Sequence, residues 1–334
     1  MSSRYRSPWW LPGGHVQTVY SAVVAKPRRR PPMTRERWDT PDGDFVDVDW
    51  LAGPRDAPLL VMFHGLEGSA ESHYARAMML AVRDAGWRGA IPHFRSCSGE
   101  PNRLPRAYHS GDSAEIGWML GRFAAHAHGA PLYAVGISLG GNALLKWLGE
   151  SGDGARGRVA AAVAVSAPLD LSAGADAIER GFSMVYTRMF LATLKRKVAQ
   201  KARVHRGVVD AGGVERVRTM REFDERYTAP LHGFRDAEDY YARSSARRFL
   251  HAIRVPTLVL NARNDPFLPG RHLPAPADVS PCVTLEVPAH GGHVGFVSGP
   301  FPGHLRWLPR RIMAFCSQHP AAFPATPSTE SPAP

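Results

Sequence analysis

The stretch Gly136-Ile137-Ser138-Leu139-Gly140 decides the fold of this chain, and Gly141 follows it directly. Before it, residues 131–135 form an apolar run short enough for a buried strand, and after it residues 142–148 read as a helix. A serine at such a junction, with a glycine two positions away on each side, is typical of a nucleophile elbow. The glycines let the strand and the helix close up around a sharp turn. A glycine-rich turn with an incidental serine is the alternative, so the rest of the chain has to decide.

Length and composition favour one enzyme-sized α/β domain with an insertion. The chain has 334 residues, of which 44% are hydrophobic, and can bury a large core. Its formal net charge of +11 arises from 41 Lys and Arg against 30 Asp and Glu. These basic residues are spread along the chain without a nucleic-acid-binding signature, so we predict no nucleic-acid partner.

The cysteines and the apolar runs bear on the compartment. Cys97, Cys282 and Cys316 are widely separated and include no C-x-x-C pair, so neither a disulfide framework nor a zinc knuckle is indicated. We find no apolar run typical of a signal peptide or of a membrane span. These features predict a reduced, cytoplasmic protein.

Short apolar strands and amphipathic helices alternate through the first half of the chain. Strands are expected at 44–50, 59–63, 87–92 and 159–165, and helices at 74–85 and 112–126. This alternation predicts a mostly parallel central sheet with helices on both faces. His64 and Gly65 follow the second of these strands, where the backbone N–H of Leu66 can complete an oxyanion hole with that of Leu139. An ordinary strand-end glycine, with His64 bonding locally, is the alternative.

From about residue 171 to residue 250 the pattern consists of helices alone. The segment 182–203 is amphipathic and basic, and we interpret the whole insertion as a helical cap. A face bearing Met189 and Phe190 either lines an acyl pocket or packs against the core, and both readings stay open. The basic side of this helix could also contact a membrane surface transiently.

We therefore divide the chain into four parts. These are an N-terminal arm at 1–43, a core at 44–170 and 251–319, the cap at 171–250, and a tail at 320–334. The tail is composed mainly of Pro, Ala, Ser and Thr, which predicts disorder.

The catalytic acid and base should follow the two late strands. A serine hydroxyl needs a histidine to take its proton and an acid to orient that histidine, in the chain order Ser, acid, His. Asp265 follows the apolar run 257–261 and His293 follows the run 283–287, so both are expected at the sheet edge that carries Ser138. Asp170 is the rival acid, but its loop leads directly into the insertion.

A metal site is the remaining alternative at this edge. His290 and His293 are spaced as H-x-x-H, yet they lie on a glycine-rich loop with no acid or cysteine cluster near them in sequence. We therefore predict no metal at this edge.

The chain resembles the YheT-like branch of the α/β-hydrolase superfamily, a group of esterases related to the monoacylglycerol-lipase-like ABHD proteins. The matching motifs, in order, are 9–18, 64–68, 94–103, 108–111, 136–142 and 291–296. The resemblance implies an α/β-hydrolase fold, a charge relay of Ser138, Asp265 and His293, and no cofactor. The chain departs from the family at Ser96, where glycine is usual.

The expected activity is hydrolysis of short- to medium-chain acyl esters or monoacylglycerols through an acyl-enzyme intermediate. Acyl transfer or amide hydrolysis would use the same three residues, and a non-catalytic binding protein could keep the same scaffold. The sequence specifies neither the natural substrate nor the oligomeric state.

Overall fold

A computed structural model of the protein describes residues 4–320, and an eight-stranded sheet forms its centre. The strands are β1 (Met33–Asp39), β2 (Phe45–Leu51), β3 (Leu59–Phe63), β4 (Arg88–Pro92), β5 (Leu132–Ile137), β6 (Ala161–Val165), β7 (Thr257–Leu260) and β8 (Val283–Glu286). Their order across the sheet is β1-β2-β4-β3-β5-β6-β7-β8. β1 and β2 pair antiparallel, as do β2 and β4, whereas all other neighbours are parallel. The predicted mostly parallel sheet is confirmed.

Helices cover both faces of the sheet. The helices are α1 (Gly14–Val23), α2 (His73–Asp84), α3 (Ser113–Ala127), α4 (Leu139–Ser151), α5 (Leu171–Ile178), α6 (Met184–Val204), α7 (Met220–Phe223), α8 (Ala229–Leu231), α9 (Ala237–Ser244) and α10 (Trp307–Cys316). α3 and α4 bury apolar side chains against one face, and α2 and α10 against the other. Because a layer of helices covers the apolar side chains on each face of the sheet, the central strands are buried along their whole length.

Two elements lie where the sequence showed little periodicity. β1 is an edge strand with a mostly exposed, charged sequence, so the apolar alternation that reveals a half-buried strand is missing. α1 buries Gln17, Thr18 and Ser21, which are polar, so the usual apolar stripe is missing as well. The stretch interpreted as an arm therefore contains a strand of the main sheet and a helix.

Between residues 171 and 250 the structure has helices and turns and no strand. α6 is the longest helix of the described residues, and a π-helical turn at Asp224–Thr228 joins α7 to α8. Side chains from α5, α6 and α7 form a small apolar cluster of their own.

Two further sequence expectations concern the C-terminal tail and membrane spans. The tail predicted to be disordered falls, apart from residue 320, outside the described residues. Within residues 4–320, no helix is both long enough and apolar enough to span a membrane.

Candidate active site

Ser138 occupies the sharp turn between β5 and α4. Its backbone has φ 52° and ψ −119°, a conformation that is strained for a residue with a side chain. The flanking glycines leave no room for a Cβ: one on Gly136 would lie 2.5 Å from the Gly140 carbonyl oxygen, and one on Gly140 would lie 2.6 Å from the carbonyl oxygens of Phe63 and His64. The turn therefore requires both glycines and directs the serine side chain away from the sheet.

His293 and Asp265 meet Ser138 at the carboxyl edge of the sheet. His293 Nε2 lies 2.9 Å from Ser138 Oγ, and His293 Nδ1 lies 2.9 and 3.1 Å from the two carboxylate oxygens of Asp265. Asp265 is almost fully buried, and its Oδ1 also accepts a hydrogen bond from the Phe267 N–H at 2.8 Å. The carboxylate favours the tautomer with the proton on Nδ1, which leaves Nε2 as an acceptor for the serine proton.

Phe267 fixes the plane of the His293 imidazole. Its ring stacks on that of His293 with centroids 3.9 Å apart and an interplanar angle of 9°. One face of the imidazole is thereby covered, and the in-plane contacts with Ser138 and Asp265 remain free to form. Nothing in the sequence beyond its position two residues after Asp265 pointed to this role.

The two predicted oxyanion donors, Leu66 and Leu139, line the same space as Ser138 and His293. Leu139 is the first residue of α4, where a backbone N–H has no intrahelical acceptor. Gly65 packs against Ser138, since a Cβ there would lie 3.1 Å from the serine Cβ. The two strand ends thus converge around one point above Ser138.

His64 holds the β3 end in place from below. Its Nε2 accepts a hydrogen bond from the Phe94 N–H at 3.0 Å, so its proton is on Nδ1, which donates to the Gly65 carbonyl at 2.8 Å. Burial lowers the pKa of His64 to about 3, so the ring stays neutral. The local hydrogen bonding that was the alternative interpretation of His64 is present, and it supports the loop that carries Leu66.

Asp170 and His290, the alternatives to Asp265 and His293, lie in other surroundings. Asp170 caps α5, because its carboxylate accepts a hydrogen bond from the Ala173 N–H at 3.0 Å. His290 is exposed, whereas His293 engages Ser138 and Asp265. Among residues 4–320, no group of three or more His, Cys, Asp or Glu side chains is arranged to hold a metal ion.

α1 supports the loop that carries His293. Thr18 Oγ1 accepts a hydrogen bond from the His293 N–H at 2.8 Å, and Gln17 Oε1 accepts one from the Gly291 N–H at 2.9 Å. Gln17 is completely buried. Sequence reasoning did not identify these residues; the only signal was their membership in the 9–18 motif.

A second support links the insertion to the loop that carries Leu66. Tyr108 Oη accepts a hydrogen bond from the Glu67 N–H at 2.8 Å and donates one to the Glu67 carboxylate at 2.7 Å. Lys197 of α6 donates to the same carboxylate oxygen at 2.6 Å. Glu67 has φ 54°, so these contacts hold a left-handed residue next to Leu66. Burial raises the pKa of Tyr108 well above its ordinary value, which keeps its donor proton in place.

The space beside Ser138 lies next to a larger cavity under the insertion. The first has a volume of about 100 Å³ and the second about 410 Å³. Both are lined by Leu66, Leu139, Met220, Asp224 and Tyr240, so they adjoin each other. The combined size suits an organic ligand rather than water alone.

Met189 and Phe190 of α6 have different surroundings. Phe190 lines the space beside Ser138 and contacts the Phe267 ring edge-on at 6.0 Å. Met189 is 64% exposed, so the expectation that it could line a pocket is wrong. One position along the helix turns the side chain by about 100°, which takes Met189 to the outer surface.

Ser96 has φ 62°, in the left-handed region where glycine is favoured. Its hydroxyl accepts a hydrogen bond from the Asn102 N–H at 3.1 Å. The loop therefore keeps the conformation that a glycine would adopt, with the serine side chain tied to its far end.

Comparisons with known proteins agree with this architecture. Residues 58–300 match the family described as alpha/beta hydrolase fold. The chain is 42% identical over 303 residues to YheT of Escherichia coli (strain K12), which is named as a putative esterase, covering 89% of this chain and 88% of that protein. It is 29% identical over 328 residues to the phospholipase ABHD3 of Mus musculus, covering 94% and 78%. The solved structure of the DcsB complex with its substrate analogue superposes with a TM-score of 0.57 at 15% identity, covering 87% of this chain and all of that one, which supports the fold alone. With its sheet order, its elbow and these matches, the chain belongs to the α/β-hydrolase family, in the esterase branch that includes YheT.

Proposed function

We propose that this protein is a serine carboxylic-ester hydrolase with Ser138 as nucleophile, His293 as general base and Asp265 as the acid that orients it. The observation that carries the proposal is the continuous contact from Ser138 Oγ through the His293 ring to the buried Asp265 carboxylate. A serine alone is a weak nucleophile, and this relay supplies the base that it lacks.

The reaction proceeds in two halves. Ser138 Oγ attacks the ester carbonyl while its proton passes to His293 Nε2, and the backbone N–H groups of Leu66 and Leu139 stabilise the oxyanion. The tetrahedral intermediate collapses as His293 returns the proton to the leaving alcohol. Water then attacks the acyl-enzyme and gives up a proton to His293. The carboxylic acid leaves as His293 returns this proton to Ser138 Oγ.

The cavity supports an ester with an apolar chain as substrate. Phe190, Leu194, Val198, Met220 and Phe223 from the insertion border the two adjoining spaces. We propose that residues 171–250 form a cap over these spaces and that the acyl chain lies beneath it. Short- to medium-chain acyl esters, including monoacylglycerols, fit this arrangement, and the names of the relatives are consistent with it.

A fluorophosphonate probe tests the proposal. We expect the probe to label Ser138, and Ser138→Ala to lose both labelling and ester hydrolysis. Ser317→Ala, at an exposed serine after α10, is the matched control and should behave as wild type. Labelling of another serine, with full turnover in Ser138→Ala, would refute the mechanism; a folded wild type that neither labels nor turns over esters would favour a binding protein. Product analysis with added alcohol separates hydrolysis from acyl transfer.

A further inference from the structure

α1 is an amphipathic helix whose polar side chains are buried and whose apolar side chains are exposed. Its buried side chains are polar and serve the catalytic loop, as described above. Its outward side chains are apolar: Val16 is 49% exposed, Val19 40% and Val23 73%. The sequence of α1 contains no Asp, Glu, Lys or Arg. A helix on a water-exposed surface normally has the opposite arrangement, so these valines indicate an apolar environment on the outer side.

The apolar surface continues onto α6. The His15 ring contacts Phe182 with centroids 4.9 Å apart and lies within hydrogen-bond distance of the Tyr186 hydroxyl, at 3.3 Å. Phe182 is 56% exposed, and Val185 and Met189 are exposed one and two turns further along the insertion. We call the exposed apolar side chains of these two segments, Val16, Val19, Val23, Phe182, Val185 and Met189, the valine face.

The two segments that carry the valine face are basic in sequence. Residues 1–35 contain no Asp or Glu, and neither do residues 180–209, which include all of α6. Arg28 and Arg29, which follow α1, are exposed, and no carboxylate in the described part of the chain pairs with either. Arg188 and Arg196 are exposed on α6. An apolar centre with a basic rim matches the chemistry of an anionic lipid surface, whose acyl region accepts the valines and whose headgroups attract the arginines.

We propose that the valine face docks the protein on an anionic lipid surface. Its position relates docking to the candidate site, because Tyr186 contacts Phe267 at 4.9 Å and Phe267 stacks on His293. These two ring contacts connect the valine face to His293, and the inner side of the same α1 holds the loop that carries His293. Docking itself requires no catalysis, so it stands or falls separately from the proposed hydrolase activity.

Flotation with vesicles tests the proposal. Wild type should float with vesicles of phosphatidylcholine and phosphatidylglycerol, weakly with phosphatidylcholine alone, and less at high salt. Val23→Glu should lower binding by about tenfold or more, because it replaces an apolar contact with the lipid by a negative charge. Ala125→Glu is the matched control, with the same charge on an exposed position near the end of α3.

The rim is tested by removing charge. Arg28→Gln with Arg29→Gln should lower binding by about 30-fold, whereas Arg55→Gln, at an exposed position before the amino end of β3, should change it little. Turnover of a dissolved ester should stay at the wild-type value in all four variants, which verifies that they are folded.

Four results would overturn the proposal. Absence of wild-type flotation excludes lipid docking. Equal losses in Val23→Glu and Ala125→Glu, or equal binding to neutral and anionic vesicles, exclude this face or its rim. Self-association of wild type that Val23→Glu abolishes, without flotation, assigns the face to a second copy of the chain.

Discussion

The replacement Gln17→Leu offers the sharpest test of how the catalytic loop is held. The Gln17 side chain donates hydrogen bonds to Ser7 Oγ and the Leu11 carbonyl, both at 2.9 Å, and accepts them from the Gly291 N–H at 2.9 Å and Asn264 Nδ2 at 3.0 Å. The Leu11 and Gly291 partners are buried, whereas the other two can turn to water. Each orphaned buried group costs roughly 1–3 kcal/mol, so we expect the free energy of unfolding to fall by roughly 2–6 kcal/mol.

Activity should fall as well, because Gly291 lies two residues before His293. A catalytic group displaced by about 1 Å can lose on the order of a hundredfold in kcat. Urea unfolding and steady-state kinetics on a dissolved ester measure the two effects, and Gln318→Leu, at an exposed glutamine, is the matched control. A stability loss below about 1 kcal/mol together with an unchanged kcat would show that the loop is held by its own backbone and not by Gln17.

Three further perturbations address the acid, a buried carboxyl and the acyl pocket. Asp265→Asn should lower kcat by about four orders of magnitude, since the amide no longer fixes the tautomer; Asp170→Asn should leave kcat nearly unchanged, because asparagine also caps a helix, and the reverse ranking in kinetics would move the acid to Asp170. Burial raises the pKa of Asp224 from 3.8 to about 6, so the folded state holds this proton more tightly than the unfolded chain and stability falls as pH rises from about 4 to about 6. Asp224→Asn should remove this loss of roughly 3 kcal/mol, and urea titrations at both ends of the window that show parallel pH dependence in variant and wild type would contradict it. Phe190→Ala should change the ratio of kcat/KM between longer and shorter dissolved acyl esters by roughly tenfold, whereas Met189→Ala should not; equal chain-length profiles for both would place the acyl pocket elsewhere.

The parts of the fold that follow from the sequence are those whose pattern and packing agree. β3, β5 and β6 are apolar throughout because they are buried on both faces, and the helices between them carry one apolar side. Since parallel strands present their carboxyl ends at one edge, Ser138, Asp265 and His293 could be expected together from chain order alone.

The parts that did not follow are those where packing and pattern disagree. α1 places glutamine and threonine inside and valines outside, so a search for an apolar stripe assigns its faces wrongly or misses the helix. β1 lies at the sheet edge, pairs with β2 along its whole length and buries Trp38, while most of its other side chains are exposed and show no alternation. The contacts of Tyr108, Glu67 and Lys197 join three separate segments, and no local pattern encodes such an arrangement.

The hydrogen bonds between α1 and the catalytic loop join residues 274 and 275 positions apart. The residues of α1 are synthesised early. At ordinary elongation rates, Gly291 and His293, whose N–H groups bond to Gln17 and Thr18, are added roughly tens of seconds later. Gln17 and Thr18 can find their final partners only after β7, β8 and the loop beyond them have joined the sheet. Ser138 is likewise synthesised 155 positions before His293, so the contact between these two side chains can form only after the late loop has been added to the chain.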